Sequence, residues 1–178
     1  DIAIRSALTG HLVLSSLHTN DSASAITRLL DMGIEPYLLA TSLEGVLAQR
    51  LVRVLCERCV ERAEVLPQVL DQLGADAAPF RGAVLRHGHG CQDCHGTGYR
   101  GRIGIFELIR VHEGVREMIM HRPSGSQIRQ VVGTGFVSMR QDGYRKALAG
   151  VTSLEEVWRV TQDTQDENGT CQVSPTRP

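Results

Sequence analysis

His11-Leu-Val-Leu-Ser-Ser-Leu17 decides the fold class. Its compact apolar run, set between Gly10 and the loop His18-Thr-Asn20, predicts a buried strand. Upstream, residues 2 to 9 are expected to form a helix that Gly10 ends. Downstream, Asp21 is placed to cap a helix running to about Met32, with Ala25, Ile26, Leu29 and Leu30 on one face and Gly33 as its stop. Pro36 opens a further helix carrying Leu38, Leu39, Leu43 and Val46, and Gln49-Arg-Leu-Val-Arg-Val-Leu55 is expected as a second strand. Helix, strand, helix, helix, strand in this order predicts part of an α/β sheet domain over residues 1–55.

The chain of 178 residues is long enough to bury a core without help from a metal. Apolar residues make up 42% and charged residues 22%, with 19 basic groups against 20 acidic ones, a globular composition. A net charge of −1 and only seven aromatic side chains argue against a nucleic-acid-binding zinc ribbon. Apolar runs such as Leu12 to Leu14 and Val52 to Leu55 are too short to span a bilayer, and no signal peptide pattern is present. The first residue is Asp1, which suggests a fragment. The basic residues are 18 arginines and one lysine, Lys146, which Ala147 follows, so no GxxxxGK[ST] phosphate loop occurs.

The character of the sequence changes at Cys56. Residues 56–101 hold two CxxC pairs, Cys56/Cys59 and Cys91/Cys94, separated by 31 residues, with a short helix expected around Pro67 to Leu73. Each pair can present two thiolates on one side of a tight turn, and two such knuckles complete a tetrahedron suited to zinc. A closed four-thiolate shell leaves no position for substrate, so the ion is expected to be structural. Disulfides are disfavoured by the absence of a secretion signal, and Cys171 is left over as an unpaired thiol. His87, His89 and His95 are expected at the surface of a glycine-rich loop, outside the metal shell. A CxxCxGxG run, Cys91 to Gly98, also occurs in DnaJ-type chaperones, but that family needs four repeats and this chain has one. Asn168-Gly-Thr170 fits a glycosylation sequon that a cytoplasmic protein would not use.

Beyond the inserted module, Arg102-Ile-Gly-Ile-Phe-Glu-Leu-Ile109 is expected as a strand. Ser124/Gln127, Ser138/Gln141 and Ser153/Glu156 match the capping-box spacing, so residues 102–161 are expected to close the core and add a helical subdomain. The polar stretch 162–178 is expected to be a disordered tail.

Four segments together carry a resemblance: Ala7 to Asp21, Ala25 to Gly33, Gln49 to Arg53, and Gly98 to Leu108. With the double CxxC, they closely resemble the C-terminal portion of type II secretion ATPases and type IV pilus assembly ATPases, from about Asp1 to Thr161. Pilus retraction ATPases of the same superfamily lack the cysteine insert. The resemblance implies part of a RecA-like P-loop ATPase core in a homo-hexamer, with the zinc module as a protruding arm. It further implies ATP and Mg in the full-length protein, inner-membrane platform proteins as partners, and a cytoplasmic location, peripheral on the inner membrane. The phosphate loop and acidic boxes of the family would lie upstream, so this segment alone is expected to be inactive.

By the same resemblance, His11 and His18 belong to a histidine box. His18, expected directly after the strand 11–17, would donate to a γ-phosphate oxygen or orient the attacking water; His11 would assist or hold the junction. Arg50 and Arg53 lie on an otherwise buried strand, where a guanidinium needs a partner. Arg50 is therefore a candidate to approach nucleotide, against the alternative of a salt bridge within the fold. Other readings are DNA uptake, or a stand-alone zinc-dependent binding module if the gene begins at Asp1.

Overall fold

A computed structural model describes residues 2–133 and 135–162; the expectations for Cys171, Asn168 and the tail beyond Gln162 lie outside those residues. The described residues form a mixed helix–strand fold. Helix α1 (Ile2–Leu8) leads through Gly10, at a φ of 92°, into the stretch read as a strand. No strand forms there. Residues 11–19 carry no regular structure, and Leu12 and Leu14 are 86% and 87% exposed. A strand needs a neighbouring backbone to bond to, and among the described residues none runs beside this one.

Helix α2 (Ser22–Asp31) starts where the cap predicts: the Asp21 carboxylate accepts the amide of Ser24 at 2.7 Å. Helix α3 (Pro36–Ser42) is shorter than the apolar spacing implied. The Thr41 and Ser42 hydroxyls turn back onto the carbonyl of Leu38, Leu43 is already extended, and Val46 packs from a strand instead. That strand, β1 (Gly45–Leu55), pairs antiparallel with β4 (Tyr99–Arg110), from Gly45 opposite Arg110 to Leu55 opposite Tyr99. A second antiparallel pair joins β2 (Val60–Glu64) to β3 (Val84–Gly88). Both sheets are antiparallel, and of the two strands expected within residues 1–55 only the second forms, as β1.

Alternation along β4 puts Ile105, Glu107 and Ile109 on one face, buried. That face meets a core in which Ile26, Leu30 and Leu39 of α2 and α3 pack with Ile109 and with Val115, Ile119 and Ile128 of α5 (Glu113–Met120) and α6 (Gly125–Val131). Ser124 and Ser138 cap α6 and α7 (Met139–Leu148) through the predicted boxes. Ser153 caps α8 (Leu154–Thr161), but the Glu156 side chain does not return to it.

The cysteine module does not stand off from the rest. It occupies the connection between β1 and β4, and α4 (Pro67–Leu73) with the 3-10 turn after it lays Leu73, Ala77 and Phe80 against Tyr144, Ala147, Leu154 and Val157 of α7 and α8. Phe80 and Tyr144 meet edge to face, centroids 5.3 Å apart. The module therefore shares a core with α7 and α8.

Candidate metal centre and histidine segment

Cys56 and Cys59 sit on the turn that ends β1, and Cys91 and Cys94 on the 3-10 turn that precedes β4. The two turns close on one another because β1 and β4 bring Leu55 opposite Tyr99, and because the amide of Cys56 donates to the carbonyl of Gly98. The four sulfurs lie within 4.8 Å of one another: Cys56 to Cys91 is 3.9 Å, Cys59 to Cys94 is 3.8 Å and Cys91 to Cys94 is 3.7 Å. Four sulfurs held tetrahedrally at zinc's bond length of about 2.3 Å stand about 3.8 Å apart, so the donor set fits that ion. None of the three module histidines belongs to the group. His89 is exposed beside Glu61, its Nε2 3.5 Å from the carboxylate.

The backbone is arranged around the sulfurs as well. Cys94 Sγ accepts from the amides of Cys91 at 3.1 Å and Gly98 at 3.2 Å. Burial alone would raise this thiol, but the two amides outweigh it and bring Cys94 down to about 6. For Cys59 burial prevails over the amide of Gly90, and the thiol is pushed up to about 12. A divalent cation removes that conflict by letting all four sulfurs ionise together. Glycine is required where the end of β3 meets the chain leaving the second turn: a Cβ on Gly88 would lie 2.2 Å from the Gly98 carbonyl oxygen.

The histidine segment is elsewhere. His11 and His18 are both exposed, with His11 Nδ1 3.1 Å from the Thr9 hydroxyl. Since 11–17 is not a strand here, the placement of His18 at a strand's carboxyl end falls away. Residues 20–22, just beyond His18, are held firmly on three sides. Asn20 accepts from Arg50 at 3.0 Å, Asp21 from Arg129 at 2.6 Å, and Ser22 donates through its amide and hydroxyl to Glu107 at 2.8 and 2.6 Å. Arg50 thus reaches the end of the histidine segment, whereas Arg53 is committed to Glu156.

Two buried carboxylates, Glu107 and Glu156, are not among the residues that the sequence singles out as functional. Glu107 had a signal, being the one acid in the buried alternating row Ile105, Glu107, Ile109. Glu156 was masked by its capping-box position. Its side chain accepts the Arg53 amide at 3.0 Å, the Arg53 guanidinium at 2.7 Å and Arg159 twice at 2.8 Å. Burial opposes ionisation there, but these donors hold the carboxyl at about 2.

A family model described as "Type II/IV secretion system protein" matches residues 1–159. The chain belongs to this family. It is 52% identical to type II secretion system protein E of Pectobacterium carotovorum, an alignment covering 91% of this chain and 32% of the relative. Against type II secretion system protein E of Pseudomonas aeruginosa the identity is 50%, over 92% of this chain and 32% of that protein. Against the type IV pilus assembly ATPase PilB of Thermus thermophilus it is 48%, over 88% of this chain and 18% of the relative. The chain spans about a third or less of the length of these curated relatives. Among the described residues no helix is long and apolar enough to cross a membrane.

Proposed function

We propose that this chain is the C-terminal part of a hexameric ATPase that powers type II protein secretion, with a RecA-like core completed by sequence outside it. The observation that carries the reading is the family match across residues 1–159, which takes in both the histidine segment and the cysteine centre. Cys56, Cys59, Cys91 and Cys94 hold one structural zinc, which fixes the join between the module and the β1–β4 ribbon. ATP hydrolysis belongs to the full-length protein: this segment has no GxxxxGK[ST] loop of its own. His18 contacts the γ-phosphate or the attacking water, with His11 behind it and Arg50 supporting the segment. The assembly works at the cytoplasmic face of the inner membrane through platform proteins.

A second reading, type IV pilus assembly, is favoured by the 48% identity to the pilus assembly ATPase. Complementation separates the two. The full-length gene should restore secretion, and not piliation, in strains lacking one or the other motor.

In the full-length protein His18→Ala should lower ATP turnover by about 100- to 1,000-fold, the cost of losing one donor to developing charge. Zinc content should stay near one per chain. Unchanged turnover would falsify the histidine assignment.

A further inference from the structure

Glu107 holds two helices on one carboxylate. Its Oε1 accepts from the amide and hydroxyl of Ser22, and its Oε2 accepts from the amide of Met139 at 3.0 Å. Ser22 and Met139 are the first residues of α2 and α7. Glu107 is 7% exposed. A buried carboxylate is costly unless hydrogen bonds, dipoles or an opposite charge replace the water it gave up. Two helix N-termini do so, each offering orphan amides and the positive end of its dipole.

This arrangement makes the start of α7 answer to the start of α2. A displacement of residues 20–22 must be followed at Met139, or one of the three hydrogen bonds is lost. Helix α7 in turn carries Tyr144 and Ala147 into the core shared with the cysteine module. We infer that Glu107 is a positioning residue that couples the exit of the histidine segment to helix α7, so that the C-terminal helices register the nucleotide state sensed at His18. The inference rests on the proposed role of His18; the fastening of two helices to one carboxylate does not.

The test uses the full-length, zinc-loaded protein. Backbone hydrogen exchange is followed in segments 19–26 and 136–143, without nucleotide and with a non-hydrolysable ATP analogue, for wild type, Glu107→Gln and Ser22→Ala. In wild type the analogue should slow exchange in both segments. Without nucleotide, Glu107→Gln should speed exchange in both by about tenfold or more, the loss expected for charge-assisted hydrogen bonds. With the analogue, segment 19–26 should remain protected and 136–143 should not, and kcat for ATP should fall with KM nearly unchanged. Protection of 136–143 to the wild-type degree in a folded, zinc-replete Glu107→Gln protein overturns the coupling. Should that variant not fold, Ser22→Ala is read by the same criterion, because it removes the hydroxyl bond to Oε1, weakens one arm and leaves Met139 in place. If the analogue protects neither segment in wild type, the His18 reading fails instead. The nucleotide-free data then judge the fastening: faster exchange in both segments supports it, and a change in one or none overturns it.

Discussion

Arg53 and Glu156, 103 positions apart in the chain, meet at 2.7 Å and tie β1 to α8. The Arg53 guanidinium also lies 4.1 Å from the centroid of the Tyr99 ring, and the Tyr99 hydroxyl reaches Ser153 at 2.7 Å. One strand pair and the cap of the last helix are thus gathered around a single fully buried carboxylate.

Glu156→Ala should destabilise the chain by about 1–3 kcal/mol, because it removes the buried acceptor shared by the Arg53 amide and the partly exposed guanidinium groups of Arg53 and Arg159. Glu156→Gln, which keeps the shape and an acceptor, should cost less. Urea unfolding of the zinc-loaded protein measures both. A loss below about 1 kcal/mol for the alanine variant would show that water already screens the pair.

The same carboxylate gives the fold an acid limb. Its pKa is lowered from 4.5 to about 2, so the unfolded chain binds the proton more readily than the folded one. Its contribution is fully present above pH 4.5, declines as pH falls toward 2, and is on the order of 3 kcal/mol. Protonation of the cysteine sulfurs would release a bound zinc in acid as well, so the difference between wild type and Glu156→Gln is the quantity to follow. That difference should shrink across this window; a constant difference would place the lowered pKa elsewhere.

Phe80 is fully buried in the cluster shared by the cysteine module and helices α7 and α8. Phe80→Ala should cost about 3–5 kcal/mol, through lost burial and the cavity left against Tyr144. Because the core is shared, hydrogen exchange should rise in α7 and α8 as well as in α4. A rise confined to 60–90 would mean the module unfolds independently.

The gathering of the four cysteines was legible because two CxxC spacings have few other uses, and the caps of α2, α6 and α7 were legible because their partners are three residues away. The segment 11–17 misleads for a physical reason. An apolar run reports that something should cover it, but not whether the covering backbone lies within the chain. Glu107 depends on partners 32 and 85 positions distant and Glu156 on Arg53, 103 positions distant, as well as on its neighbour Arg159, and local patterns do not encode the distant ones. The alternation of β4 did place Glu107 inward, yet only the fold shows that two helix starts meet it there.

Gly88→Ala tests whether the contact between the end of β3 and Gly98, beside the cysteine group, supports metal binding. An added Cβ would meet the Gly98 carbonyl oxygen, a backbone atom, at 2.2 Å, so the end of β3 and Gly98 must separate. That carbonyl accepts from the Cys56 amide, and the Gly98 amide donates to Cys94 Sγ, so separation disturbs one ligand on each side. Loss of such outer contacts lowers metal affinity by about 10- to 100-fold, and a competitive chelator titration should find a drop of that size. Gly135→Ala, where a Cβ meets nothing within 4 Å, is the control and should bind zinc as wild type does. Equal affinity in the two variants would show that the sulfurs hold the ion without help from the Gly88–Gly98 contact.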